Sequence, residues 1–145
     1  MFSKACEYAI KAMIFVASQS KSNIRCGLND IALGIGSPVS FTAKILQRLV
    51  KANLLESQKG PTGGFVISEA KASQIKLSEI VAAIDGDEIY NGCGLGFHTC
   101  SDEKPCPVHY QFKTVRENLK DMLESTTLNN LSENIHQGLS FLKRD

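Results

Sequence analysis

No apolar run in this sequence approaches membrane-spanning length. The longest near the N-terminus, Ala12 to Ala17, is bounded by Lys11, so neither a bilayer helix nor a secretory signal is expected and the chain is placed in the cytoplasm. Internal repeats, low-complexity tracts and Rossmann or P-loop fingerprints are also missing. No Ser/His/Asp or paired-carboxylate arrangement can be placed, which argues against an enzyme. A paired cysteine framework is absent too: the five cysteines are an odd number, and in a reducing compartment they point to metal, cluster or redox use of some of them. What is present is 145 residues of 43% apolar content, enough for one domain, or a small domain with an appendage, around a real core.

The net charge of +1 conceals an asymmetry. Residues 1–72 carry 9 Lys and Arg against 4 Asp and Glu, and residues 73–145 carry 7 against 11, so the front half is +5 and the rear half −4. A basic front with an acidic rear suits a chain that presents one end to a polyanion.

The front half reads as three helices and a hairpin. Ser3 is placed to cap a first helix running to about Ser18, because Ala5, Ala9, Ala12, Met13 and Val16 recur at three- and four-residue spacing. Gly27 opens a short second helix through Ile31 and Ala32, which Gly34-Ile35-Gly36 should stop. Ser37 as N-cap and Pro38 as first helical residue then begin a third helix, with Phe41, Ile45, Leu46, Leu49 and Val50 as its buried stripe to about Lys51. Leu54–Gln58 and Phe65–Ser68 are short strands around the turn Lys59-Gly60-Pro61-Thr62-Gly63-Gly64.

Two helices joined by a glycine-bearing turn and followed by a hairpin make a winged helix-turn-helix. In that arrangement the third helix enters a major groove and the hairpin tip approaches the backbone or minor groove. Ser40, Thr42, Lys44, Gln47 and Arg48 lie off the apolar stripe, where hydroxyls and cations meet phosphates and Gln or Arg reads base edges; Lys59 and Thr62 offer similar contacts from the wing tip. A double-stranded DNA operator is the expected partner.

The rear half is organised differently. Residues 73–86 suggest another short helix, with Leu77, Ile80, Val81 and Ile84 apolar and Asp85-Gly86 ending it. Val108, Phe112, Val115, Leu119, Met122 and Leu123 then mark a long helix from about Pro107 to Glu124 with a single apolar seam, suited to pairing with its copy in a homodimer. Leu128, Leu131, Ile135, Leu139 and Leu142 continue helical signals into a tail whose packing partner the pattern does not identify. The expected fold is mostly α with a small β-hairpin. It divides into a winged helix-turn-helix domain at 1–72, a linker helix and cysteine-rich loop at 73–106, and a dimerisation helix with tail at 107–145.

Between these helices lies the one stretch that ordinary packing does not account for. Cys93, Cys100 and Cys106 stand with His109 in a loop built of turn-forming residues, held by no apolar side chains except Leu95, Phe97 and Val108. Thiolates plus an imidazole suit an iron-sulfur cluster or zinc. Gaps of six and five residues between the cysteines are wider than the pair spacing usual in structural zinc sites. A cluster-free thiol switch through Cys100 and Cys106 also fits, as does, more remotely, a small electron-transfer protein. Cys6 and Cys26, outside this loop, read as small buried apolar groups, and His98 as a solvated or supporting residue.

Four pieces in this order resemble the Rrf-two family of winged-helix regulators, particularly its IscR-like and NsrR-like iron-sulfur branches. They are Ser3-Lys4-Ala5-Cys6-Glu7-Tyr8-Ala9, Lys44-Ile45-Leu46-Gln47-Arg48-Leu49, Lys59-Gly60-Pro61-Thr62-Gly63-Gly64-Phe65 and the three-cysteine loop. The resemblance implies a homodimeric DNA-binding regulator sensing redox, iron or nitric oxide status through a two-iron or four-iron cluster. It implies Cys93, Cys100 and Cys106 as ligands, with His109 completing the set as in the IscR-like branch or Glu7, donated by the partner subunit, as in the NsrR-like branch. Three positions depart from the pattern. The first cysteine gap is one residue longer than in IscR-like proteins. Ala43 replaces a glutamate through which cluster state selects DNA sequence, and Lys59 replaces an arginine that enters the minor groove, supplying charge without the planar fork.

Overall fold

The computed structural model describes residues 1–144, and they form α1 (Lys4–Lys21), α2 (Leu28–Ile35), α3 (Val39–Lys51), β1 (Glu56–Gln58), β2 (Gly64–Val66), α4 (Glu69–Gln74), α5 (Leu77–Asp85), α6 (Glu88–Asn91), α7 (His109–Ser125) and α8 (Leu128–His136). None of these helices is long and apolar enough to cross a membrane.

Ser3 caps α1, its hydroxyl accepting from the Cys6 amide, and the same residue ties α1 to the end of α5. The Ser3 amide donates to Asp85 Oδ2 at 2.9 Å and the Ser3 hydroxyl to Oδ1. Burial pushes the Asp85 carboxyl up, but the two Ser3 bonds and nearby Arg48 outweigh it and hold the group below its ordinary range. The Cys6 thiol, fully buried beside that carboxylate, is pushed up to about 12, first by desolvation and then by the Asp85 charge. Cys26 is likewise buried and raised to about 11, so both thiols remain protonated packing groups. Because the Asp85 carboxyl is depressed in the fold, its contribution is fully present above the ordinary carboxylate pKa and is lost as pH falls from there through the lower folded-state value. Asp85→Asn is therefore expected to cost roughly 1 kcal/mol at pH 7 and to flatten the decline in stability below about pH 4, read by urea unfolding across pH.

Helix α2 ends at Gly36, whose φ of 68° is the left-handed conformation that releases the chain into α3. Gly34 lies inside α2 rather than in the turn. A Cβ there would stand 2.3 Å from the Phe15 ring, so this glycine serves close packing of α2 on α1. The start of α3 also differs from the expectation by one residue: Pro38 is the N-cap, and the Ser37 hydroxyl bonds the Thr42 hydroxyl instead of a backbone amide.

The two strands pair antiparallel with Ser57 opposite Phe65. Phe65 also exchanges two backbone bonds with Cys26, at 2.7 and 3.2 Å, which pins the hairpin to the segment before α2. The stretch 73–86 is not one helix. It breaks at Ile75-Lys76, where the Leu77 amide donates to Thr126 O and the Leu128 amide to Ile75 O, both at 2.9 Å.

This break brings the C-terminal segment home. Leu123 and Leu128 are fully buried in the same apolar cluster as Met13, Ile31, Leu46, Leu49, Ile80 and Val81. Lys21 reaches from the end of α1 to Asn129 and Glu133, so the tail that the sequence left unplaced packs against α1. The boundary drawn at 72/73 falls inside α4, at the buried Ala72.

Candidate functional site

Helix α3 presents Ser40, Lys44 and Gln47 outward at i, i+4 and i+7, one stripe opposite the buried Ile45, Leu46 and Leu49. Two other residues expected on that face are engaged elsewhere. Thr42 is 1% exposed and its hydroxyl donates to Pro38 O at 2.7 Å, because positions 42, 45, 46 and 49 fall on the inward stripe. It belongs to the turn and not to a DNA-facing surface. Arg48 is exposed, but its Nη2 donates to Ile84 O at 2.8 Å and reaches Ala83 O at 3.5 Å. A guanidinium on the last carbonyls of α5 meets the negative end of that helix and anchors α3 to it. Lys59 and Thr62 are exposed at the wing tip.

The second candidate site lies at the other end of the chain. Short α6 leads from α5 into the 93–108 loop, and the loop start lies against α7, where a Cβ on Gly94 would meet the Phe112 ring at 2.5 Å. Leu95 and Phe97 are exposed, so the loop has little core of its own. Cys93, Cys100, Cys106 and His109 nevertheless line one open cavity of ≈ 550 Å³, with His98 on its wall. Among the described residues no three Cys, His, Asp or Glu side chains converge on a single-ion site. The donors face a shared space in two pairs instead.

The first pair is Cys93 with Cys106. The neighbouring Leu95 and Phe97 amides, and then the Cys106 side chain, favour the Cys93 thiolate and lower its pKa below the ordinary thiol value. The second is Cys100 with His109, whose Nδ1 lies 3.3 Å from Cys100 Sγ. His109 is 4% exposed, and its Nε2 is 2.8 Å from Asp102 Oδ1. An ionised carboxylate only accepts, so in a neutral ring Nε2 carries the hydrogen and Nδ1 keeps its lone pair on the cavity side. Asp102 also accepts from Lys113 at 3.0 Å, and the His109 bond followed by the Lys113 bond and charge holds its carboxyl below the usual range. Arg116 Nη2 donates to Cys100 Sγ at 3.0 Å. Glu7 is not on this cavity in its own subunit; it pairs with Lys4 at 3.3 Å.

Asp102, Lys113 and Arg116 were not singled out by the sequence reading. A signal existed: 109, 113 and 116 repeat at i, i+4 and i+7, which puts three nitrogen-bearing side chains on the face of α7 that meets the loop.

The geometry thus defines a winged helix-turn-helix that carries a thiol-rich pocket on a separate loop. Comparison with known proteins gives the family. A family model described as "Rrf2: Iron-dependent Transcriptional regulator" matches residues 2–134, and the chain belongs to the Rrf2 family of transcriptional regulators. It is 28% identical over 90% of its length to an HTH-type transcriptional regulator of Aquifex aeolicus, of which it covers 90%. It is 31% identical over 88% of its length to the HTH-type transcriptional regulator IscR of Cronobacter sakazakii, of which it covers 76%. Among solved structures, the global cysteine regulator CymR of B. subtilis matches with a TM-score of 0.74 at 25% identity, covering 92% of this chain and 96% of that one. T. potens IscR matches in fold with a TM-score of 0.73 at 19% identity, covering 97% and 91%.

Proposed function

We propose that this regulator binds its operator as a homodimer and that an iron-sulfur cluster held by Cys93, Cys100, Cys106 and His109 sets its DNA affinity. The observation that carries the reading is the shared cavity: three thiols and a buried imidazole with a lone pair toward it line one open space. When bound, the cluster supplies a centre sensitive to oxidation, iron supply and nitric oxide. His109 is preferred over Glu7 as the fourth donor because it already lies on the cavity and its far nitrogen is held by a carboxylate, the usual support of a metal-ligating histidine.

The chain's own residues supply the output. The ligand loop has few apolar contacts, so metal binding is ordering energy for it. His109 is the first residue of α7, and α7 leaves Phe112, Val115 and Met122 uncovered at 39%, 59% and 44% exposure. A second α7 would cover that face, so ordering the loop sets how two copies pair and how far apart their α3 helices stand. Leu119 and Leu123, from the same sequence seam, turn inward to their own core.

The DNA contacts proposed are Ser40, Lys44, Gln47, Lys59 and Thr62. If Lys44 and Lys59 each meet a phosphate, Lys44→Ala and Lys59→Ala each lower the slope of log K against log salt by about one. Arg48→Ala is expected to leave that slope unchanged while loosening α3 from α5, read as a lower Tm. A reduced slope for Arg48→Ala would return it to the interface.

A second reading is favoured by a specific likeness. CymR is described as a global cysteine regulator, and Cys93, Cys100 and Cys106 line one cavity here, so a thiol-based switch without metal uses the same loop. Metal and sulfide analysis of the protein isolated without oxygen separates the two.

A further inference from the structure

The outer contacts of the cysteine cavity go beyond its ligand set. Asp102 and Arg116 do not occupy donor positions, yet each touches one: Asp102 Oδ1 accepts from His109 Nε2 at 2.8 Å, and Arg116 Nη2 donates to Cys100 Sγ at 3.0 Å. Both contacts are with groups that α7 and the loop bring together, and both leave the cavity side of the donor free. They belong to one device, because His109, Lys113 and Arg116 occupy a single stripe of α7 and all three grip the segment 100–102.

We infer that Asp102 and Arg116 are positioning residues of the metal site: Asp102 fixes His109 so that Nδ1 is its ligating atom, and Arg116 holds the Cys100 sulfur while joining it to α7. This rests on the cofactor reading above and specifies how the chain tunes it. The Asp102 bond prevents the buried ring from turning over, since the flipped ring would leave the carboxylate without its N–H donor. The Arg116 bond places positive charge beside a sulfur that carries negative charge when it ligates a metal. It therefore stabilises the more negative, reduced state and raises the midpoint potential. Lys113 keeps Asp102 in place from the same helix face. Through these contacts the loop is read by α7 at two points one helical stretch apart, not only where the chain joins it at His109.

The test compares wild-type protein with Asp102→Ala, Asp102→Asn, Arg116→Gln and Arg116→Lys, all isolated without oxygen. Iron, sulfide and zinc content, the rate of metal loss to a chelator, and the midpoint potential are measured. Thermal unfolding of the metal-free forms serves as the folding control. Asp102→Ala and Arg116→Gln are expected to lose metal about ten times faster or more, with the metal-free unfolding temperature unchanged. Asp102→Asn, which keeps an acceptor oxygen, and Arg116→Lys, which keeps the charge, should recover part of that loss, and Arg116→Gln should shift the midpoint to lower potential. Loss rates and midpoints equal to wild type in a cluster-bearing protein overturn the inference and leave the cofactor reading standing. Faster loss from a zinc-bearing protein supports the positioning roles while overturning the cluster. A wild-type protein with neither iron nor zinc overturns both.

Discussion

A protein carrying Cys93→Ala, Cys100→Ala and Cys106→Ala is expected to fold and dimerise, to contain no iron or sulfide, and to bind its operator with an affinity changed by about 5- to 150-fold from the loaded wild type. Folding survives because none of the three thiols belongs to the apolar cluster built by α1 to α5 with Leu123 and Leu128. Their loss unties a loop whose apolar side chains, Leu95 and Phe97, are already exposed. Affinity is expected to change because α7 starts at His109, the last of the proposed ligands, so a disordered loop would free the first turn of the helix proposed to face the partner. Circular dichroism, sedimentation and operator titration on a sequence selected by binding enrichment measure the three parts separately. Unfolding of the triple variant would mark the metal as structural, and unchanged affinity would disconnect the loop from DNA binding.

The second large effect concerns the uncovered face of α7. Val115→Glu combined with Met122→Glu is expected to convert the dimer to monomer and to weaken operator binding on the order of a hundredfold, since two linked half-site contacts become independent events. Both side chains are largely exposed within one chain, at 59% and 44%, so the charges enter no core and the fold should be retained. A dimer of wild-type affinity in sedimentation and DNA titration would show that another face joins the subunits.

Much of this architecture could be read from local pattern. Ser3 marks a cap that the structure places at the start of α1, and the Pro- and Gly-bearing turn from Lys59 to Gly64 between two short strands marks the wing. That Cys93, Cys100, Cys106 and His109 share one cavity agrees with what residue type alone suggests, because little else explains three cysteines and a histidine among turn-forming residues. Misplaced features depend on contacts distant in sequence. The break at Ile75-Lys76 is invisible because Ala72, Ile75, Leu77 and Ile80 continue an apolar pattern, and the interruption is made by backbone bonds to Thr126 and Leu128 some fifty residues on. Arg48 read outward has the chemistry of a DNA contact, but the carbonyls it meets belong to the end of α5. Thr42 is the opposite case: its spacing with Leu46 and Leu49 already placed it inward, and its hydroxyl masked that position. Asp102 and Arg116 carried no motif, since their importance exists only once α7 lies against the loop.

The most direct test of the account is anaerobic purification of the full chain followed by an ultraviolet-visible spectrum and iron, sulfide and zinc analysis on the same sample. The account predicts iron and acid-labile sulfide in comparable amounts, with charge-transfer absorbance that disappears in the triple cysteine variant. Zinc alone, or no metal, would contradict the cluster and reassign the cavity to a structural or thiol-based role.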